Sequence, residues 1–482
     1  MTPMTTSKVK PRLIIHGGAG NIKRESLDPE QYQRYRQALL SIVTSTDAYM
    51  RTPKSSSTKL ARLGLEYPSA LDVATYAVVK LENEPLFNSG HGAVFTRDGI
   101  NELEASVMVS RGFAKRGVGV TGLRRVKNPI LLAKAMLEHG DRDLVGNTDL
   151  GWSIDEAPKN KLEGEELNIP SAQGHTLIHG ETAETLARKY GLETVSPSYF
   201  FTQKRWDEHV RGLEKEKQGK GTATWSAEEY LPQGTCGAVA LDENGVVCVA
   251  TSTGGITNKL TGRIGDTPVI GAGFWAEEWS EKGDPSASKG SQSAIDPWRS
   301  LIKYINMPGP IVELSSALRT FVVDCLPTPF IYSPVTSSSS SHSDVEVTRS
   351  TAVSGTGNGD SFLRVAAARS VASIARWARV SSFDAVTHIA GRGGELEKSA
   401  GARWGKTGEG EGGMIGIECV IAKNKSGDIL YTRSEILQDH NCAGMFRAWI
   451  KDDGLPEVKI WHEKGESFES ISGSPADGKY AY

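Results

Sequence analysis

The sequence predicts a layered α/β fold, an α+β arrangement in which strand hairpins and helices come in blocks. Three observations carry this. Leu13–Ile15 is a short apolar run that enters a tight glycine turn, His16-Gly17-Gly18-Ala19-Gly20. Ala238–Leu241 and Val246–Thr251 are apolar β-type runs joined by Asp242-Glu243-Asn244-Gly245, a strong hairpin signal. Helical stretches fall near Pro29–Met50, Ala70–Leu81 and Ser361–Arg376 rather than once after every strand, which argues against strict βαβ winding.

Taken in order, Met1–Lys10 is polar and the apolar run after it is too short for a secretory signal. No stretch approaches transmembrane length, so the expectation is a cytoplasmic protein without a membrane partner. Ser55–Ser57 marks a loop between the first two helices. Asn88-Ser89-Gly90-His91-Gly92 then breaks the pattern before Ala93–Thr96, a strand candidate with Glu104–Ser110 as its neighbour. From about Gln203 to Tyr230 the chain is dense in Lys, Glu, Gly and Gln with little apolar periodicity, and reads as an exposed, mobile linker running up to Gly234. Polar stretches at about Ser280–Ser293 and around Ser337–Ser341 bury too little apolar surface to offset their ordering entropy. Ile311–Cys325 between them reads as ordered, so residues 280–350 form an insertion with some structure of its own. Beyond it come a glycine turn, the third helix, strands at Ile415–Ala422 and Ile429–Thr432, and a short helix near Met445–Ile450.

A net charge of -3 with no basic stripe gives nothing to neutralise a phosphate backbone, which excludes nucleic acid as a partner. The 5 cysteines include no CxxC pair, so neither a zinc site nor a disulfide framework is indicated. They read as small buried hydrophobes.

The chemistry concentrates between Gly234 and Gly273. The linker ends directly at Gly234-Thr235, and Thr235 opens a strand. Were the bond before it cut, Thr235 would carry a free α-amine beside its own hydroxyl, placing nucleophile and base on one residue. Such an amine titrates at roughly 7.7–8.0, whereas a lysine sits near about 10.4. Glycine at 234 lets the backbone take up a strained geometry suited to self-attack. An isolated Gly-Thr is an ordinary strand start; its company changes that. Thr251-Ser252-Thr253-Gly254-Gly255 sets hydroxyls beside flexible backbone, and Gly262-Arg263-Ile264-Gly265-Asp266-Thr267-Pro268 offers a cation and an anion three residues apart. An Arg fork grips a carboxylate and an Asp accepts from an ammonium, so together they can hold both ends of an amino-acid zwitterion. Alone, the same pair would read as a surface salt bridge.

These blocks, with Ile15–Gly20, Leu86–Thr96 and Val353-Ser354-Gly355-Thr356-Gly357-Asn358-Gly359-Asp360, resemble the plant-type asparaginases, also called isoaspartyl peptidases, and occur in that family's order. The resemblance implies an N-terminal-nucleophile hydrolase with a four-layer αββα sandwich. Its α-subunit would be residues 1–234 and its β-subunit residues 235–482, together one domain. It implies Thr235 as nucleophile, Thr253 as its supporting hydroxyl, and Thr356 and Gly357 as the oxyanion donors. Arg263 and Asp266 would bind substrate, and Asn88 would sit near the Gly234–Thr235 bond during self-cleavage. No cofactor is implied for catalysis, only a structural sodium held by main-chain oxygens of Leu81, Glu84, Phe87, Ser89 and His91. The implied reaction releases aspartate from asparagine or a β-aspartyl dipeptide, in a homodimer of cleaved protomers. Two neighbours share the chemistry. The aspartylglucosaminidase kind has Asp before its nucleophile and enters the secretory route, and the taspase kind lacks the Asn-Lys and Gly-Asp-Thr-Pro pattern. An inactive scaffold would have lost a catalytic position, and none of the matched positions is lost. Cys236 stands where the family has Val and reads as packing; Glu104 stands where it has Asp; the insertion at 280–350 has no counterpart in compact members.

Overall fold

A computed structural model describes residues 8–54, 66–145, 169–226, 234–282 and 345–462. The chain divides into two compact units, one of Met1–Trp279, Arg349–Ile421 and Thr432–Tyr482, the other of Ser280–Thr348 with Ala422–Tyr431. In the smaller, the described residues are strand ends and a turn in which the Asn424 side chain accepts from Asp428 N and donates to its carboxylate. The segments 283–344 and 227–233, which include Ser337–Ser341, Ile311–Cys325 and the end of the expected linker, lie outside the described residues, as does Ser55–Ser57.

Two sheets are built from strands β1 (Arg12–Gly20), β2 (Leu103–Val109), β3 (Gly117–Leu123), β4 (Leu177–His179), β5 (Cys236–Leu241) and β6 (Val247–Thr253), then β7 (Phe274–Lys282), β8 (Glu346–Gly357), β9 (Gly412–Lys423), β10 (Ile429–His440), β11 (Gly444–Ile450) and β12 (Pro456–Lys459). The larger is eight-stranded in the order β12-β11-β1-β5-β6-β2-β3-β4, and the other is four-stranded, β10-β9-β8-β7. Every pairing in the larger sheet is antiparallel except β3 with β4. Strands from before and after Thr235 therefore interleave: β1 lies between β11 and β5, and β6 pairs with β2.

Helix α1 (Pro29–Met50) starts where predicted because the Asp28 side chain accepts from Gln31 N and proline occupies the first turn. Helix α2 (Ala70–Asn83) opens on a Ser69–Asp72 capping box. With α3 (Pro129–Val145) these helices bury their apolar faces on the large sheet, α2 against β5 and β6 and α3 against β2 and β3. Helix α4 (Gly180–Lys189) packs on β3. A second core, around Val353, Phe362, Val371, Val386 and Met414, joins the small sheet to helices α6 (Gly359–Val365), α7 (Ala367–Trp377), α8 (Ser382–Ala390) and α9 (Glu395–Ala400). No described helix is long and apolar enough to cross a membrane.

Four sequence expectations need correction. The linker expected from Gln203 begins instead as helix α5 (Gln203–Lys217). Its buried positions are Arg205, Glu208, His209 and Gly212, a helical spacing filled by three polar residues and a glycine, so no apolar period announces it. Met445–Ile450 is strand β11, paired with β1, because a short apolar run takes whichever form its neighbours complete. Ala93–Thr96 is irregular: its carbonyls at Ala93 and Val94 accept from the Asn101 side chain and that at Phe95 from Asn258 N, leaving no strand ladder. The helix predicted over Ser361–Arg376 breaks at Ala366 (φ 46°), where the amides of Ala368 and Arg369 turn to the carbonyls of Ala272 and Gly271.

Candidate active site

Thr235 sits immediately before β5 and is 3% exposed. Its Oγ1 lies 2.8 Å from Thr267 Oγ1, and its carbonyl accepts from Thr356 Oγ1 at 3.0 Å. On the other side of the Gly234–Thr235 bond, Asn88 Nδ2 donates to Gly234 O at 3.3 Å and to Gly255 O at 2.7 Å. Asn88 is itself fixed, since its Oδ1 accepts from Val94 N at 3.0 Å and its carbonyl from Gly254 N at 3.1 Å. What demands glycine at 234 is space rather than any shown strain: a Cβ there would lie 2.5 Å from Ala19 N and from Gly18 Cα. The glycine turn of β1 is thus a wall against the candidate scissile bond.

His16 stands at the entrance to that turn. Its Nε2 lies 2.7 Å from Ser354 Oγ on β8, and both atoms fill the place a Cβ of Gly237 would take. Burial drives its imidazole down to about 3, against a hydrogen bond with the Thr235 backbone. It is a neutral spacer between the sheets.

Thr253 ends β6. The register pairing Cys236 with Ser252 brings it opposite Thr235 one step further on, and its Oγ1 accepts from Gly255 N at 2.9 Å. Thr356 and Gly357 end β8. Gly357 has φ 133°, and a Cβ there would lie 2.5 Å from Gly412 Cα, so only glycine fits this turn.

Arg263 and Asp266 lie on the loop between β6 and β7 and do not pair with each other. Arg263 Nη2 binds Asp360 Oδ1 at 2.9 Å, an ion pair whose carboxylate is 57% exposed. Asp266 is buried, and its Oδ2 has no hydrogen-bond partner among the described residues. Burial pushes its carboxyl from 3.8 up to about 7, with Arg263 pulling the other way. Both side chains border Gly359, where a Cβ would lie 3.2 Å from Arg263 Nη2. A guanidinium and an uncompensated carboxylate therefore flank one small space.

Sequence reasoning missed the residues that shape this loop. Glu104 accepts from Gly265 N at 3.2 Å and Glu102 from Gly262 N at 2.7 Å, anchoring both ends of the turn that carries Arg263. Lys259 is buried beside them, donating to Glu102 O at 3.0 Å, with its pKa lowered by burial. Glu104 is noticeable in the sequence as a departure from the family pattern, Thr267 only as part of the Gly-Asp-Thr-Pro block, and Asp360 by nothing but its place after the glycine turn. Cys236 behaves as packing: it is fully buried in the main core and its thiol is pushed up to about 12 by burial. Cys248, Cys419 and Cys442 are likewise free and buried.

On the loop expected to hold sodium, the carbonyls of Leu81, Glu84 and Ser89 each accept one backbone N–H, leaving a second lone pair. The carbonyls of Phe87 and Pro85 face the Cα of Gly92, where a side chain would collide with them. Oxygen-only donors of this kind suit a hard monovalent cation. Arg205 already crosses the same loop, donating to Leu86 O at 2.8 Å and Gly92 O at 2.9 Å.

Against known proteins, a family model described as asparaginase matches residues 9–149 and 169–281. The chain is 37% identical over 274 residues to the isoaspartyl peptidase of Escherichia coli, covering 56% of this chain and 69% of that one. It is 36% identical over 271 residues to the isoaspartyl peptidase of Salmonella typhimurium, with 56% and 71% covered. With the plant-type L-asparaginase of Thermococcus kodakarensis it shares 33% over 274 residues, 55% and 70% of the two chains.

Proposed function

The chain belongs to the asparaginase family of hydrolases, and from that premise we propose that it cuts itself before Thr235 and then hydrolyses β-amides of aspartate: the side chain of asparagine, the β-aspartyl bond of isoaspartyl dipeptides, or both. The observation that carries this reading is the hold on the two successive carbonyls on either side of the Thr235 nitrogen and side chain. Asn88 donates to the carbonyl before Thr235 and Thr356 to the carbonyl after it, while the hydroxyl of Thr235 faces a second hydroxyl.

In the first step Thr235 Oγ attacks the Gly234 carbonyl carbon and the C=O electron pair moves onto oxygen, where Asn88 Nδ2 meets the growing charge. The C–N bond then breaks, the hydroxyl proton passes to nitrogen, and an ester joins Gly234 to Thr235. Water hydrolyses it, leaving a Gly234 carboxylate and a Thr235 with free amine and hydroxyl.

In turnover the amine, at roughly 7.7–8.0, takes the hydroxyl proton as Oγ attacks the substrate amide. Thr356 Oγ1 and Gly357 N–H receive the oxyanion, each such donor being worth about 2.7–4 kcal/mol. The amine returns the proton to the leaving nitrogen, and water releases aspartate. Arg263 would exchange its present partner Asp360 for the α-carboxylate, and the α-ammonium would pair with Asp266. Thr356 and Gly357 lie beyond the matched ranges, so for them the support is geometric. Two sheets, each backed by helices, support the four-layer αββα reading. A sodium held by the oxygens of Leu81, Glu84, Phe87, Ser89 and His91 would supply a fixed charge bracing the loop that carries Asn88.

The test is the fragment pattern together with a side-by-side assay. Wild-type protein is expected to give two pieces, one beginning at Thr235, and Thr235→Ala to stay whole and inactive; an uncut, fully active Thr235→Ala overturns the proposal. Asparagine, a β-aspartyl dipeptide and glycosylated asparagine assayed in parallel separate the substrate readings.

A further inference from the structure

In the uncut chain the α-nitrogen of Thr235 is an amide and cannot act as a base, so the hydroxyl needs another partner. We propose that Thr267 is that partner: a catalytic residue of the self-cleavage step that holds the Thr235 hydroxyl for attack on Gly234. The inference rests on Thr235 being the self-cleaving nucleophile. Among the hydrogen bonds of the described residues, the one at Thr235 Oγ1 is shared with Thr267 Oγ1, at 2.8 Å, with Thr267 only 1% exposed. Thr253, the expected support, has its hydroxyl oxygen engaged by Gly255 N instead.

Thr267 is built to stand still. Pro268 after it narrows the conformations open to its backbone, and both residues sit in a tight turn. Its carbonyl accepts from Ser106 Oγ at 2.6 Å, and Ser106 is in turn 2.5 Å from Thr251 Oγ1. Asp266 before it closes a turn by accepting from Val269 N at 3.0 Å and Gly273 N at 3.2 Å. A rigid acceptor fixes which way the Thr235 O–H points and leaves an oxygen lone pair for the attack. No proton is consumed by Thr267 itself: the hydroxyl proton ends on the Thr235 nitrogen as the C–N bond breaks, and the ester forms between Thr235 Oγ and the Gly234 carbon. Once cutting frees the amine, that group takes over the hydroxyl proton, so Thr267 matters more for cutting than for turnover.

The experiment follows the appearance of the two fragments by intact mass in freshly purified full-length protein, alongside kcat per cut protomer. Thr267→Val is expected to cut about tenfold slower, the loss of one well-placed hydrogen bond, while kcat per cut protomer falls no more than about threefold. Thr267→Ser keeps the hydroxyl and is expected to cut within about threefold of wild type. Thr267→Cys, with a weaker S–H group, should fall between and tests the assignment even where the valine variant fails to fold. Cutting at the wild-type rate in Thr267→Val, or in Thr267→Cys where that must stand in, overturns the inference, as does a loss of kcat equal to the loss of cutting. If Thr235→Ala is still cut, the reading of Thr235 itself has failed, which is a different result.

Discussion

Replacing Asp266 by asparagine should make the protein more stable and less active at once. The carboxyl is buried, one of its oxygens has no hydrogen-bond partner among the described residues, and burial raises it from 3.8 to about 7. A group raised on folding binds its proton more tightly in the native state. The stability this contributes is full below the unfolded value and is lost progressively as pH rises, completely so once above about 7. A shift of about three units at about 1.4 kcal/mol each sets the penalty at alkaline pH to at most about 4 kcal/mol. Asparagine keeps the shape and carries no charge, so Asp266→Asn is expected to melt higher than wild type at pH 8 and at nearly the same temperature near pH 4. The same change removes the partner of the substrate ammonium. Losing one member of a buried charge pair costs about 2–5 kcal/mol, so kcat/KM for asparagine should fall about 30- to 5000-fold. In wild type, kcat/KM should rise with pH through about 7 as Asp266 ionises, a step the variant should lack while keeping the rise at roughly 7.7–8.0 from the Thr235 amine. Thermal melts at the two pH values and a coupled ammonia assay read both effects. A variant that melts below wild type at pH 8 with kcat/KM intact would refute the reasoning, because it would mean the buried carboxylate is paired and idle.

Two other substitutions probe the nucleophile's surroundings. Gly234→Ala puts a methyl 2.5 Å from backbone atoms of Gly18 and Ala19 that cannot rotate aside; self-cleavage should slow about 10- to 100-fold and stability fall about 1–3 kcal/mol, read by fragment time course and melting. Cys236→Val should cut and turn over within about twofold of wild type, and thiol-alkylating reagents should leave the native enzyme active, since the thiol is buried and pushed up to about 12; inactivation by alkylation at Cys236 would contradict this.

The parts of the site legible in the sequence are those whose chemistry and spacing travel together along the chain. Thr235, Thr253, Arg263 and Asp266 fall within one block, and the β5–β6 hairpin that sets two of them is announced by its own turn residues. Thr356 sits 121 positions from Thr235 and needed the order of motifs, not spacing, to be placed. Thr267 was out of reach because its importance comes from a side chain meeting across 32 positions, and threonine before proline is an ordinary loop residue. Glu102 and Glu104 alternate along a strand region as polar residues, which ordinarily indicates a solvated face; here the loop of Arg263 closes over them. Helix α5 was missed for the reason already visible in its burial: Arg205 and Glu208 neutralise each other inside at 2.9 Å, so a charged face is the packed one. Strand β11 is decided by the partner it completes. Local pattern identified the hairpin and the capped helices, and long-range pairing settled the rest.

The interleaving of the large sheet sets the terms on which the protein can recover from damage. With β1 held between β11 and β5, and β6 against β2, a break before Thr235 leaves the fragments joined by three antiparallel ladders. The nicked molecule would remain intact in use, but its denatured state would be two chains in place of one. Refolding would then become a second-order encounter that dilution slows, whereas the uncut chain refolds at a rate independent of concentration. Self-cleavage would thus also be a commitment: a thermal insult that the newborn chain survives by refolding alone would, in the mature enzyme, scatter its halves.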